Sequence, residues 1–143
     1  MAFQEWAFVE WDDRYSVGVQ PIDQQHRFLI QKIRDLQEAM AAGTAREMLA
    51  PLINNLVTYT EYHFAYEAKL YAERGYADLE RHLELHAAMV KQVTDMGNAL
   101  KSNKLRAGAP VMAFLRHWLI DHILGEDMFA FGKKERVQGA ERQ

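Results

Sequence analysis

The chain has 143 residues, a formal net charge of -3 and no cysteine. That length suits one domain with a real core, and the lack of thiols excludes disulfides, thiolate-bound zinc and iron–sulfur clusters. The interspersed charges form no basic stripe for nucleic acid, residues 1–6 show no secretory signal, and no apolar run approaches the ~20 residues of a membrane span, so a cytoplasmic protein is expected.

Residues 1–20 lack helical periodicity and read as an extended arm that docks Trp6, Phe8 and Trp11 against the rest. The first helical pattern opens at Pro21, which suits a first turn, and runs through Ile22, His26, Leu29, Ile30, Ile33 and Met40 to a stop near Gly43. Thr44 and Glu47 have the spacing of a capping box for a second helix carrying Leu49, Leu52, Leu56, Tyr59, His63, Glu67 and Leu70, ending near Gly75. Pro51 should kink that helix or delay its start.

Asp78 can cap a third helix bearing Leu79, His82, Leu83, His86, Met89, Val90, Val93 and Leu100. Ser102-Asn103-Lys104 with Gly108 reads as a loop, and Pro110 opens a fourth helix with Phe114, Leu115, Trp118, Leu119, His122 and Phe129, stopping near Gly132. Long amphipathic helices joined by short loops pack most economically as an all-α, antiparallel, up-down four-helix bundle. The bundle with its N-terminal arm is expected over residues 1–132, followed by a solvated tail, 133–143.

His26, His63, His82, His86 and His122 all fall on apolar stripes. Residues four apart share a helix face, and both His63/Glu67 and His82/His86 have that spacing. Imidazoles buried without partners are costly, whereas a metal satisfies them together, and paired carboxylates can bridge two cations. The pattern therefore points to a buried dinuclear centre. Asp127 follows His122 by five residues, leaving the two about 140° apart on a regular helix. Glu126 has the regular spacing, but Gly125 tolerates a π-type turn that swings Asp127 inward, so helix geometry leaves both open. His117 lies on another face and is expected at the surface or supporting the ligands rather than among them, and Asp23 fits a helix-start carboxylate better than a residue orienting His26.

Imidazole and carboxylate without thiolate suit iron better than zinc, copper or manganese. The zinc-protease motif is absent, since Leu83, Glu84 and Leu85 separate His82 from His86. The ferritin-like pairing of Glu with His three residues later also fails, because Thr60, Leu79, Leu83 and Leu119 occupy those places. Counting ligands around two six-coordinate irons leaves one position open for a small neutral molecule such as dioxygen.

Ser16-Val17-Gly18-Val19, Ile22-Asp23, Gln25-His26, His63-Phe64 with Glu67, His82 with His86, and Trp118-Leu119, His122-Ile123 with Asp127 together resemble the hemerythrins, specifically the single-domain bacteriohemerythrins, over roughly residues 6–131. The resemblance implies two non-haem irons beneath an oxo or hydroxo bridge. His82, His86 and His122 would hold one iron, His26 and His63 the other, and Glu67 and Asp127 would bridge them. It selects Asp127 over Glu126 and implies that Leu119 walls a pocket where dioxygen binds reversibly. Two departures are Ala68, where many relatives carry an acidic residue, and Ala77, where many carry proline.

The expectation is a monomeric oxygen carrier, not an enzyme, serving transport, storage or delivery to an oxygen-consuming enzyme. The competing readings are a di-iron redox enzyme acting on peroxide or nitric oxide, and a sensor working through a partner.

Overall fold

The structure, a computed structural model, describes residues 10–44, 46–122 and 127. Among the described residues, a single 3-10 turn (Asp13–Tyr15) precedes four α-helices: α1 (Gln20–Ala41), α2 (Arg46–Glu73), α3 (Leu79–Lys101) and α4 (Ala109–Ile120). Together they form an all-α four-helix bundle, with the helices alternating in direction. Thus Lys101 at the end of α3 donates to Asn54 Oδ1 near the start of α2, at 2.9 Å.

The helix ends fall where the backbone must turn back. Gly43 and Gly75, after α1 and α2, adopt φ of 72° and 66°, a left-handed conformation that costs a glycine little. Asn103 does the same after α3 with φ 63°, a conformation that asparagine tolerates better than most residues. Pro21 and Pro110 sit in the first turns of their helices as expected. Pro51 does not delay α2, which already begins at Arg46. Asp78 occupies the N-cap of α3, yet its side chain makes no capping bond; its carbonyl accepts from His82 N instead, at 3.0 Å.

The described part of the arm is tied down rather than simply extended. Asp23, in the first turn of α1, accepts from Val17 N at 2.8 Å and from the Ser16 hydroxyl at 2.5 Å. Its carboxylate thus serves the junction of arm and helix, as a helix-start residue should. Tyr15 and Val17 are buried, and Trp11 packs partly against the core beneath the Arg27 guanidinium, 4.5 Å from the ring. Trp6, Phe8, Phe129, the stop at Gly132 and the tail 133–143 lie outside the described residues.

Burial divides the bundle along its length. One large apolar cluster, including Leu29, Ile33, Leu36, Leu56, Val93, Met112, Leu115 and Leu119, fills most of the interior. Here α2 and α3 approach closely: a Cβ on Gly97 would lie 2.6 Å from Ile53 Cγ2, so only glycine fits without a shift. A smaller cluster of Val17, Ile22 and Tyr71 closes the end where α1 and α3 begin and α2 ends. Leu83, assigned by periodicity to the apolar stripe of α3, is instead 43% exposed. His82 and His86 take the inward positions there, and Leu83, one residue on from His82, is turned about 100° around the helix from it.

Candidate metal centre

Between the two clusters, α1, α2, α3 and the backbone that follows α4 each contribute polar residues to the interior. His26 comes from the second turn of α1, and His63 and Glu67 stand one turn apart on α2. His82 and His86 stand one turn apart on α3, and His122 and Asp127 follow α4. All are buried, with His26, His63, Glu67, His82 and Asp127 at 0% exposure.

The backbone resolves the spacing problem after α4. His122 and Asp127 both lie in π-helical backbone, whose wider turn brings residues five apart onto one face. Glu126 lies outside the described residues. His117 is exposed, away from the cluster.

Ligating atoms of His26, His63, Glu67, His122 and Asp127 lie within 4.8 Å of one another. Asp127 Oδ2 is 2.5 Å from His26 Nε2 and 2.9 Å from His122 Nε2. Glu67 Oε2 is 3.1 Å from His63 Nε2 and 3.5 Å from His122 Nε2. The other oxygen, Oε1, faces α3, 3.1 Å from His86 Nε2. His63 Nε2 and His122 Nε2 face each other at 2.9 Å. His82 stands slightly apart, its Nε2 3.0 Å from the Tyr76 hydroxyl. By distance, therefore, His122 groups with His26 and His63.

Sequence reasoning named all these donors but missed two of their supports. Gln25 Oε1 accepts from His63 Nδ1 at 2.7 Å, which fixes the tautomer and turns the Nε2 lone pair inward. Tyr71 donates to Asp127 Oδ1 at 3.0 Å, with Glu67 Oε1 at 3.4 Å. Its spacing, one turn after Glu67, was the available signal. Phe64 stacks on His86 with ring centroids 4.1 Å apart and planes at 2°, holding that imidazole flat against an apolar ring.

The charges are strongly coupled. Burial favours neutral His122, but Asp127 and Glu67 outweigh it and push the imidazole up to about 10. His63 is raised in the same way, with burial opposed by Glu67 and Asp127. Burial alone would raise Glu67; His63 and His122 reverse that and hold it well below the usual carboxylate range. Asp127 is lowered too, burial and Glu67 being overcome chiefly by His122. Burial, then Asp127 and Glu67, keep the Tyr71 hydroxyl protonated far above the ordinary phenol range.

Such a cluster can neutralise positive charge with two carboxylates while presenting several imidazole nitrogens, which is the donor chemistry of a divalent cation site. The molecule is thus a four-helix bundle built around a buried histidine–carboxylate cluster.

Comparison with known proteins agrees. Residues 17–133 match the family described as hemerythrin HHE cation binding domain, and the chain belongs to the hemerythrin family. It is 32% identical to a bacteriohemerythrin from Stenotrophomonas maltophilia (strain R551-3) over 125 residues, covering 85% of this chain and 78% of that one. A myohemerythrin from Theromyzon tessulatum is 28% identical over 124 residues, covering 87% and 92%. The crystal structure of a wild-type hemerythrin superposes with a TM-score of 0.77 at 24% identity, covering 86% of this chain and 95% of that one, which bears on the fold alone.

Proposed function

We propose that this protein binds dioxygen reversibly at two non-haem iron ions joined by an oxo or hydroxo bridge. His26, His63, Glu67, His82, His86, His122 and Asp127 would hold them. The observation that carries the reading is the placement of Glu67: Oε2 faces His63 at 3.1 Å while Oε1 faces His86 at 3.1 Å, so one carboxylate serves two sets of nitrogens. A carboxylate shared in this way is able to serve two adjacent cations.

The residues present fit such a pair. His86 Nε2 and Glu67 Oε2 are buried without a hydrogen bond, although buried polar atoms ordinarily have one. The facing Nε2 atoms of His63 and His122 share at most one proton between them, leaving a lone pair for a metal. The division of the histidines, with His26 and His63 on one iron and His82, His86 and His122 on the other, follows the family resemblance rather than the distances. Glu67 and Asp127 would bridge.

Bound iron would supply the electrons for reversible dioxygen binding. The chain's own residues provide the enclosure. Leu119, fully buried one turn before His122, would wall the dioxygen pocket, and Phe64 covers His86. Apolar walls keep water and protons away, which would slow irreversible oxidation of the bound iron. Gln25 holds His63 in the tautomer that ligates through Nε2. No helix among the described residues is long and apolar enough to cross a membrane. The reading is a monomeric cytoplasmic carrier for transport, storage or delivery to an oxygen-consuming enzyme, and not an enzyme itself.

Optical spectra of the reduced iron-loaded protein test this directly. A visible band that appears in air and vanishes when oxygen is removed is expected through repeated cycles. Sustained turnover of peroxide or nitric oxide, lost in His63→Ala, would replace the carrier with an enzyme.

A further inference from the structure

We propose that Tyr71 is a positioning residue for the metal pair: its hydroxyl, donated to Asp127 Oδ1, fixes which oxygen of that carboxylate faces the histidines and draws charge away from both carboxylates. The inference rests on the function proposed above.

Tyr71 lies one turn after Glu67 on α2 and is 1% exposed. A phenol hydroxyl buried that deeply needs an acceptor, and the two carboxylates proposed to bridge the metals lie within reach. It has one proton to give. The 3.0 Å distance to Asp127 Oδ1 and the 3.4 Å distance to Glu67 Oε1 assign that proton mainly to Asp127. The consequence is visible in Asp127 itself: Oδ1 is held by Tyr71, and Oδ2 faces His26 and His122.

This bond joins α2 to the π-helical turn that carries Asp127, 56 residues away in sequence. A π turn is an uncommon backbone state, and a charge-assisted hydrogen bond in a dry interior is strong enough to favour it. The ring is fixed independently, by Tyr76 at 5.5 Å and His82 at 4.8 Å between centroids. The hydroxyl can therefore be removed while the packing stays.

A hydrogen bond on a ligating carboxylate weakens it as an anionic donor without displacing it, since each oxygen has two lone pairs. A weaker anion stabilises the more positive metal state less. Tyr71 thus favours retention of ferrous iron.

The test is Tyr71→Phe, loaded anaerobically with ferrous iron beside the wild type. Expected are a metal affinity lower by about 10-fold or more, a midpoint potential shifted to more negative values, and faster oxidation in air. Tyr66→Phe, which removes a neighbouring hydroxyl from the same end of the bundle, should leave the potential unchanged. In metal-free wild type, the Tyr71 hydroxyl proton should be a slowly exchanging NMR resonance, a readout that does not depend on how the variant folds. Unchanged affinity and potential in Tyr71→Phe, or a rapidly exchanging hydroxyl in the wild type, overturn the inference and leave the proposed function standing. A wild type that takes up no iron overturns both.

Discussion

Leu36, Leu56 and Leu115 are as deeply buried as His26, His63 and Glu67, but the two groups sit in opposite kinds of interior. The leucines belong to one apolar cluster, where burial itself is the stabilising term, about 25 cal/mol for each Å² removed from water. The imidazoles and carboxylates between that cluster and the smaller one gain nothing from burial as such. They persist because Glu67 and Asp127 are matched against His26, His63, His86 and His122 at ion-pair distances. Replacing such a polar cluster with apolar residues commonly costs little stability or even adds some, so its retention points to function. The same helices thus carry a stabilising half and a functional half.

Four substitutions or conditions separate the halves, beginning with the largest effect. Glu67→Ala should abolish binding of the metal pair, with ferrous affinity reduced by more than about 100-fold, beyond the loss typical of a supporting residue. Anaerobic titration measures it, and the secondary structure by circular dichroism should remain helical. Leu56→Ala should do the reverse. Truncating this fully buried side chain should cost ~2–5 kcal/mol in denaturant unfolding, with the metal stoichiometry of the folded protein unchanged.

The third is pH, acting on the polar half alone in metal-free protein. His122, raised from 6.5 to about 10, contributes stability that is whole below 6.5 and is lost as pH rises through about 10. Glu67 and Asp127, lowered from 4.5 and 3.8, contribute stability that is present above those values and is lost as pH falls below them. The thermal midpoint should therefore peak between the two windows and fall on either side. Metal uptake near neutral pH should also release protons, because a metal on His122 must displace one. The smallest effect is expected at the surface. Lys91 and Asp95 pair at 2.6 Å but are 75% and 60% exposed, so Lys91→Ala should change unfolding free energy by less than about 0.5 kcal/mol.

The bundle and most donors are legible in the sequence because both follow one period. His26, His63, Glu67, His82, His86 and His122 keep step with the apolar stripe, and the glycines at 43 and 75 mark the turns. Asp127 breaks that period, and a regular helix points to Glu126 instead; the π-helical backbone brings Asp127 to His26 and His122. Leu83 shows the opposite error, a residue in phase with the stripe that nonetheless faces solvent. Tyr71 and Gln25 were silent for another reason. A tyrosine one turn from a glutamate and a glutamine beside a histidine are ordinary local patterns, and their roles arise from contacts with Asp127 and His63 across the bundle.

The most direct measurement is the stoichiometry of ferrous iron bound to the anaerobic wild-type protein, followed by titration with thermal unfolding at each point. Two irons per chain, with the unfolding midpoint rising until the second is bound, is the expected result. Saturation at a single iron, or no rise in the midpoint, would contradict a polar half built to hold a metal pair.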